Sequence, residues 1–432
     1  MKRKILILII LTVPCSLTIR AQKILTLKEC YELTMTSNAM AGEKEAYSNI
    51  WRAKDENIAK GWLPTVDANA TATYQSDVVE MGTAFASVPI PGLADAFPTM
   101  PHDQYKITLD INQVLYDGGA IRGARKLEQA ELLINQKQTE IDLYKYRSQV
   151  NSCYFSILLQ ERQYELLMNY LEIIDKRIKT MESAASNGVI LRSDIDVLAS
   201  EKIKIEQQIN ESIIKKSALV NVLSDITGSP VDPSVKLVLP EIDNPSTDSI
   251  VRPEIELFDL RKKQMDAGME LSQSKRMPKA FGYASLGYGK PPGQDFFQES
   301  FDTYYMLGGG IKWNIIDWNK VKNEKQAISL QQNVLENRKK DLNNNLRRQL
   351  ELKNAEIKSL GILAESDIKL IELRKRITAS AESQYTNGTI TATEYLNELN
   401  SERQAVTTSE IHKINLVMAK VEYLNISGND IE

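Results

Sequence analysis

From Thr65 to Gln75 apolar and polar side chains alternate without a break: Val66, Ala68, Ala70, Ala72 and Tyr74 fall on one side, and Thr65, Asp67, Asn69, Thr71, Thr73 and Gln75 on the other. A period of two sustained this far predicts a β-strand. The pattern returns three more times. Tyr105, Ile107, Leu109 and Ile111 alternate with Lys106, Thr108, Asp110 and Asn112; then come Ala280, Gly282, Ala284, Leu286 and Tyr288, and finally Tyr305, Leu307, Gly309, Ile311 and Trp313. After each pair of strands the period lengthens. Leu127, Ile134, Ile141, Tyr154, Leu158, Leu171, Ile178 and Met181 recur at mixtures of three, four and seven, as do Leu330, Val334, Leu342, Leu346, Leu350, Ile357, Ile368, Ile371 and Ile377. That is helical, coiled-coil spacing. No proline interrupts the stretch from Asp117-Gly118-Gly119 to Asn187-Gly188, or that from Trp318 to Asn387. A helix of roughly seventy residues is on the order of 100 Å long, more than any globular core needs.

Each Asn-Gly is followed by a helical run back, Asp194 to Ile226 and Thr393 to Asn425, ending near Gly228 and Gly428. Glycine after a last helical residue is a common C-terminal cap. These return runs are half as long as the helices they follow, so Leu27 to Lys60 and Pro253 to Lys275 are expected as further helices that fill the column, with Pro253 well placed in a first turn.

The chain is thus written twice. Asn187-Gly188 matches Asn387-Gly388 at an offset of 200, with Asp194 and Glu394 each six places after the glycine, and Leu115-Tyr116-Asp117 matches Ile315-Ile316-Asp317 in the same register. Trp62-Leu63-Pro64 matches Arg276-Met277-Pro278 at an offset of 214, so the second copy lacks 14 residues between Pro278 and Asp317. The shortfall falls in the loop between strands, where the first copy carries Pro89, Pro91, Pro98 and Pro101. The expected organisation is a leader at 1–21; a first repeat at 22–228 with a β-hairpin at 65–115 and a helical tip near 188; and an irregular linker at 229–252. A second repeat follows at 253–428, with a hairpin at 279–315 and a tip near 388, then a tail at 429–432.

Composition narrows the class. With 42% hydrophobic and 25% charged residues and no long apolar run beyond the N-terminus, a multi-helix membrane protein is excluded. Met1-Lys2-Arg3-Lys4 followed by the apolar run Ile5 to Val13 reads as a signal peptide, too short to span a bilayer, with cleavage assigned after Ala21. A lipoprotein reading would use Cys15, but Pro14 before it departs from the small residue expected there. Removing 1–21 leaves 49 basic side chains against 57 acidic ones, a net charge of −8. Nucleic acid is no natural partner for such a chain. Cys30 and Cys153 lie in helical segments and read as two buried thiols in preference to a disulfide. Only His102 and His412 exist, no metal-ligand spacing appears, and no enzyme or cofactor is indicated. Gly308-Gly309-Gly310 lacks the Lys-Ser/Thr of a phosphate loop and is accounted for by the strand register.

The four strands admit two readings: half-buried hairpins of a soluble sheet, or membrane strands of about 9–11 residues with an apolar side toward lipid, a polar side toward a lumen and aromatics near the interfaces. Four strands cannot close a conducting barrel, so the second reading requires several chains. The signal peptide, the two strand–loop–strand units with giant helical hairpins, Leu25-Thr26-Leu27-Lys28-Glu29-Cys30 at the start and Val251-Arg252-Pro253-Glu254 opening the second copy resemble the TolC family of outer-membrane efflux proteins over residues 23–428. The order and spacing of these features carry the resemblance. It implies an α+β membrane protein: a homotrimer in outer-membrane lipid, each chain giving four strands to a 12-stranded barrel and its helices to a periplasmic coiled-coil tunnel. It implies an exit duct of a tripartite efflux or type I secretion system, working with a periplasmic adaptor and an inner-membrane transporter.

By position, Asn187, Gly188, Val189, Asn387, Gly388 and Thr389 would be adaptor-contacting tips, and Asp194, Tyr385 and Glu394 a periplasmic gate. A basic family gate residue is matched here by Ile390 and a second acidic one by Asn397. Read from physics alone, Asp194 and Glu394 sit in first helical turns, where acidic side chains are favoured whatever their function. The rival to a duct is a periplasmic coiled-coil adaptor or spacer without a barrel, which would not need both hairpins duplicated in phase.

Overall fold

The computed structural model describes residues 24–85, 87–93, 96–186, 191–243, 245 and 249–431. The expected leader, and the first tip at 187–190, lie outside the described residues. The chain forms two compact units, one from residues 1–41, 142–251 and 346–432, the other from 42–141 and 252–345.

The helices repeat in register. α3 (Ala120–Ser186) and α6 (Lys320–Thr386) each run 67 residues, and the return helices α4 (Arg192–Thr227) and α7 (Ala392–Ser427) each run 36. Both pairs are displaced by the 200 positions seen in the sequence. Gly228 and Gly428 take left-handed conformations, φ 66° and 86°, immediately after α4 and α7, as the sequence pattern requires.

In the first unit the central helical segments pack on the chain's N-terminal stretch. Tyr154, Phe155, Ile157, Val220 and Leu223 form a core with Leu25, Leu27, Cys30 and Val421. β1 (Ile24–Leu25) pairs in parallel with β4 (Lys236–Leu237), so the 229–252 segment contains one short strand within its irregular course. Tyr154 ties this pair to α3: its hydroxyl donates to the Val238 carbonyl at 2.7 Å and accepts the Val238 N–H at 3.1 Å. Cys30 and Cys153 are buried free thiols. Burial pushes Cys30 up to about 12 and Cys153 up to about 11, away from reactive thiolate.

The expected single helix from Leu27 to Lys60 is two: α1 (Leu27–Ser37) and α2 (Glu43–Ala59), separated by a 3-10 turn at Ala39–Gly42. Asn38 causes the break. Its extended backbone, ψ 146°, ends α1, while its side chain accepts the Met40 N–H at 3.0 Å and donates to the Ile226 carbonyl at 3.0 Å.

The second unit holds a four-stranded antiparallel sheet in the order β2 (Thr65–Tyr74), β3 (Asp103–Tyr116), β5 (Lys279–Lys290), β6 (Asp302–Lys312). The second hairpin therefore ends at Lys312, not at 315. Between the copies, β3 pairs with β5 from Tyr105 opposite Lys290 to Tyr116 opposite Ala280, with a bulge near Val114. Around this sheet α2 is held to the start of α3 by a bidentate Arg125–Asp55 pair (2.7 and 2.8 Å) and by Lys54–Glu128 (3.1 Å). The second repeat's helix α5 (Pro253–Ser274) is held to α6 by Lys339–Asp259 and Gln332–Asp266, both 2.7 Å.

The step from sheet to long helix is built the same way in each copy. Asp117 accepts the N–H groups of Gly119 and Ile121, and Asp317 those of Asn319 and Val321. In the first copy Gly118 and Gly119 take φ 70° and 88°; in the second, Trp318 and Asn319 take φ 52° and 63°. Asn tolerates that region, but a bulky Trp is strained in it.

Replacing Tyr154 by Phe keeps the ring and leaves both polar groups of Val238 without their partner. The expected cost is about 1–3 kcal/mol, read as a lower unfolding midpoint of the purified protein; an unchanged midpoint would show that the hydroxyl does not anchor the β1–β4 pair.

Candidate functional site

Two places collect the residues that the sequence singled out, one in each unit. The first is the sheet. Its register sorts the side chains into faces by chemistry. Val66, Ala68, Ala70 and Ala72 line up with Ile111, Leu109, Ile107 and Tyr105, then with Ala284, Leu286, Tyr288 and Lys290, then with Leu307, Tyr305 and Thr303. The other face carries Thr65, Asp67, Asn69 and Thr71, opposite Asn112, Asp110, Thr108 and Lys106. On that face Asp110 accepts from Asn69 (2.7 Å), Thr108 (2.9 Å) and Ser285 (2.5 Å).

Among the described residues nothing covers the apolar face. Val66, Ile107, Leu109, Leu286, Leu307 and Ile311 are all exposed, the last two to more than 70%. Burying such a surface is worth on the order of 25 cal/mol per Å², so a bare one of this extent marks a surface that meets something else. Aromatic residues gather at both ends of the strands. Trp62, Trp313 and Trp318 are exposed at one end; at the other Phe301 packs between Tyr105 (5.9 Å) and Tyr288 (5.6 Å), with Tyr74 nearby in register. The nine residue steps of β2, at ~3.3 Å each and tilted by about 40° as in a barrel, rise about 23 Å, close to the roughly 25 Å apolar band of a barrel that crosses an outer membrane. Among the described residues no helix is long and apolar enough to cross a membrane, and neither edge strand, β2 or β6, has a neighbour on its outer side.

The second place is the helical tip near 388. α6 ends in a Schellman arrangement: Gly388, φ 71°, donates to the Tyr385 carbonyl, and Thr389 donates to the Gln384 carbonyl, both at 3.0 Å. Two residues later Thr391 caps α7. Its hydroxyl accepts the Glu394 N–H at 3.2 Å, while the Glu394 carboxylate accepts the Thr391 N–H at 2.7 Å. This reciprocal capping box satisfies two helix-end donors, so Glu394 does have the capping role open to any acidic residue in a first turn. Asn387, Gly388, Thr389, Glu394 and Asn397 are exposed. The matching end of α4 begins at Leu191 with no side-chain cap, and Asp194 lies half-buried in its first turn. Of the first tip, Asn187, Gly188 and Val189 lie outside the described residues.

Tyr385 points inward. Its hydroxyl donates to the Met181 sulfur at 3.3 Å and its ring stacks on Tyr395 at 5.5 Å. Burial raises its pKa, and the Asp194 charge adds to the shift. Ile390 packs against the same apolar cluster of Ile174, Met181, Leu198, Tyr395 and Leu396. Three residues that the sequence did not single out complete the arrangement. Arg177 lies 5.1 Å over the Tyr395 ring, donates to its hydroxyl at 3.4 Å, and pairs with Glu382. An arginine within an otherwise apolar helical face was the one signal available for it.

Accepting the Thr391 N–H and hydroxyl holds the Glu394 carboxyl below the ordinary glutamate range. A carboxyl so depressed contributes stability that is present above its unfolded value and lost as pH falls through the folded one. The first turn of α7 should therefore loosen as pH drops from about 4.3, seen as faster amide exchange at Glu394. Thr391→Ala should abolish that step, and α4, which has no such box, should not show it.

The outer membrane efflux protein family model matches residues 52–201. No curated protein matches the sequence. Among solved structures, CusC, described in terms of folding and transmembrane channel formation, aligns with a TM-score of 0.68 and 12% identity, over 94% of this chain and 92% of its own. The Campylobacter jejuni CmeC outer membrane channel aligns at 0.64 and 14%, over 94% and 86%. The Neisseria gonorrhoeae MtrE outer membrane channel in its open state aligns at 0.62 and 15%, over 94% and 89%. The family match runs through the first hairpin and its long helix, and the fold shared with these solved channels takes in both copies.

Proposed function

We propose that the chain acts as a homotrimer, forming the outer-membrane exit duct of a tripartite efflux or type I secretion system that receives cargo from an inner-membrane transporter through a periplasmic adaptor. The observation that carries this reading is the four-stranded sheet with one bare apolar face and two open edges. In lipid every backbone N–H and C=O must be paired, so an open sheet can span a bilayer only by closing with other copies. Three copies supply twelve strands with β2 of one beside β6 of the next, apolar faces toward lipid and the Asp110 face toward a lumen. The aromatic residues at both strand ends fit the two interfaces, where Trp and Tyr rings sit. There the strained Trp318 has a use as an anchor.

The tip residues Asn387, Gly388 and Thr389, with Asn187, Gly188 and Val189 of the first copy, are the proposed adaptor contacts, and Asp194, Tyr385 and Glu394 the proposed gate. Glu394 suits the role of a constriction charge because its capping partners keep it ionised. With Ile390 packed into an apolar cluster and Asn397 neutral, the mouth would carry one carboxylate ring and be held shut more by side-chain packing than by ion pairs.

The duct reading expects a trimer in the outer-membrane fraction that converts to monomer only on heating in detergent; a soluble periplasmic monomer would instead favour an adaptor or spacer. For the gate, Glu394→Gln separates charge from capping, since glutamine also serves a capping box. It should weaken block of the channel by multivalent cations at least tenfold in planar bilayers, a loss of about 1.4 kcal/mol of binding. Unchanged block would remove Glu394 from the constriction. Cysteines placed at Val189 and Thr389 should crosslink to the adaptor.

A further inference from the structure

Between β5 and β6, three cross-strand pairs on the polar face of the sheet set an aromatic residue opposite a glycine: Phe281 with Gly310, Tyr283 with Gly308, and Tyr304 with Gly287. The rings lie down on the sheet. A Cβ added at Gly308 would fall 2.8 Å from Tyr283 Cε1, one at Gly310 2.7 Å from Phe281 Cζ, and one at Gly287 2.5 Å from Tyr304 Cε1. Each ring thus occupies the space where the opposite residue would carry its side chain. None of the three glycines has a left-handed φ, so backbone geometry does not demand them, and glycine weakens a strand interior. The ring positions are what demand them. Gly309, between two of them but on the other face, meets only the Phe281 carbonyl oxygen, at 3.3 Å.

The first hairpin reaches the same low relief by other means. On this face it carries Thr65, Asp67, Asn69 and Thr71 opposite Asn112, Asp110, Thr108 and Lys106, polar side chains that are short except for the flexible Lys106, with no aromatic and no glycine. Three upright aromatic side chains per chain would make the second hairpin stand well above the first.

We propose that Gly287, Gly308 and Gly310 set the bore at the strand end of the duct by letting Phe281, Tyr283 and Tyr304 lie flat against the wall. The inference rests on the proposed reading of the polar face as a lumen. A valine at Gly308 would lift the Tyr283 ring toward the axis, three times over in a trimer.

The test is solute exclusion in planar bilayers, with neutral polyethylene glycols of graded mass added only from the loop side of the barrel. Polymers entering from that side report the bore there, whatever constriction lies at the helical tip. Gly308→Val should lower the cut-off mass about twofold, as narrowing of a pore requires. Gly308→Val with Tyr283→Ala should restore it, and Gly309→Val on the opposite face should leave it at the wild-type value. A trimeric Gly308→Val channel with the wild-type cut-off overturns the proposal, as does a lowered cut-off that Tyr283→Ala fails to restore. If Gly308→Val does not assemble, Tyr283→Ala and Tyr304→Ala decide: flat rings predict a cut-off close to wild type, and a twofold rise would place the rings upright in the lumen. A wild-type protein that forms no trimeric channel refutes the duct itself, a distinguishable failure.

Discussion

The pairing of β3 with β5 is the interaction on which the four-stranded sheet depends. Each copy of the repeat encodes only a two-stranded hairpin, and an isolated hairpin is marginal in water and unusable in lipid. Joining the second strand of one copy to the first strand of the other makes a continuous sheet, in a register that keeps Ile107, Leu109 and Ile111 level with Tyr288, Leu286 and Ala284. A slip of one residue would exchange the faces of a whole hairpin, sending Asp110 and Lys106 to the apolar side. The bulge near Val114 takes up the mismatch at the end of β3 where the chain turns into α3.

The helical half answers to a different constraint. The duplication keeps helix length between the copies: α3 matches α6, and α4 matches α7, residue for residue in extent. The copies vary elsewhere. The helix before the first hairpin is broken in two where α5 is single; the two interstrand loops differ in length and the turns into the long helices differ in chemistry, Gly118-Gly119 against Trp318-Asn319. At the return helices, Thr391 provides a capping box that Leu191 cannot. The two hairpins of one chain are thus alike in span and unlike in how firmly their return helices begin.

The tip is held by packing rather than by a polar network. With Ile390 packed on the apolar cluster, the stacked Tyr385 and Tyr395 are joined by Arg177, which lies over one ring and pairs with Glu382. Aromatic stacking and cation–π contacts contribute on the order of 0.5–1.5 kcal/mol each. The sulfur of Met181, accepting from Tyr385, joins the two helical hairpins in the same cluster.

What the sequence by itself determined was everything with a local cause. Alternation set the four strands and their faces, heptad spacing and the lack of proline set the two long helices, glycine set the caps at 228 and 428, and the 200-residue offset set the duplication. These depend on a residue and its near neighbours, so they can be read one segment at a time. The tertiary structure decided what depends on partners far along the chain. Asn38 breaks the first helix because its side chain reaches Ile226; Arg177 acquires its meaning from Tyr395 and Glu382, more than 200 positions away. The Gly308-Gly309-Gly310 run illustrates the difference most directly. Its place in a strand was legible from period two, but the reason for Gly308 and Gly310 lies in the rings of Tyr283 and Phe281 on the neighbouring strand, which only the register of β5 with β6 brings into contact.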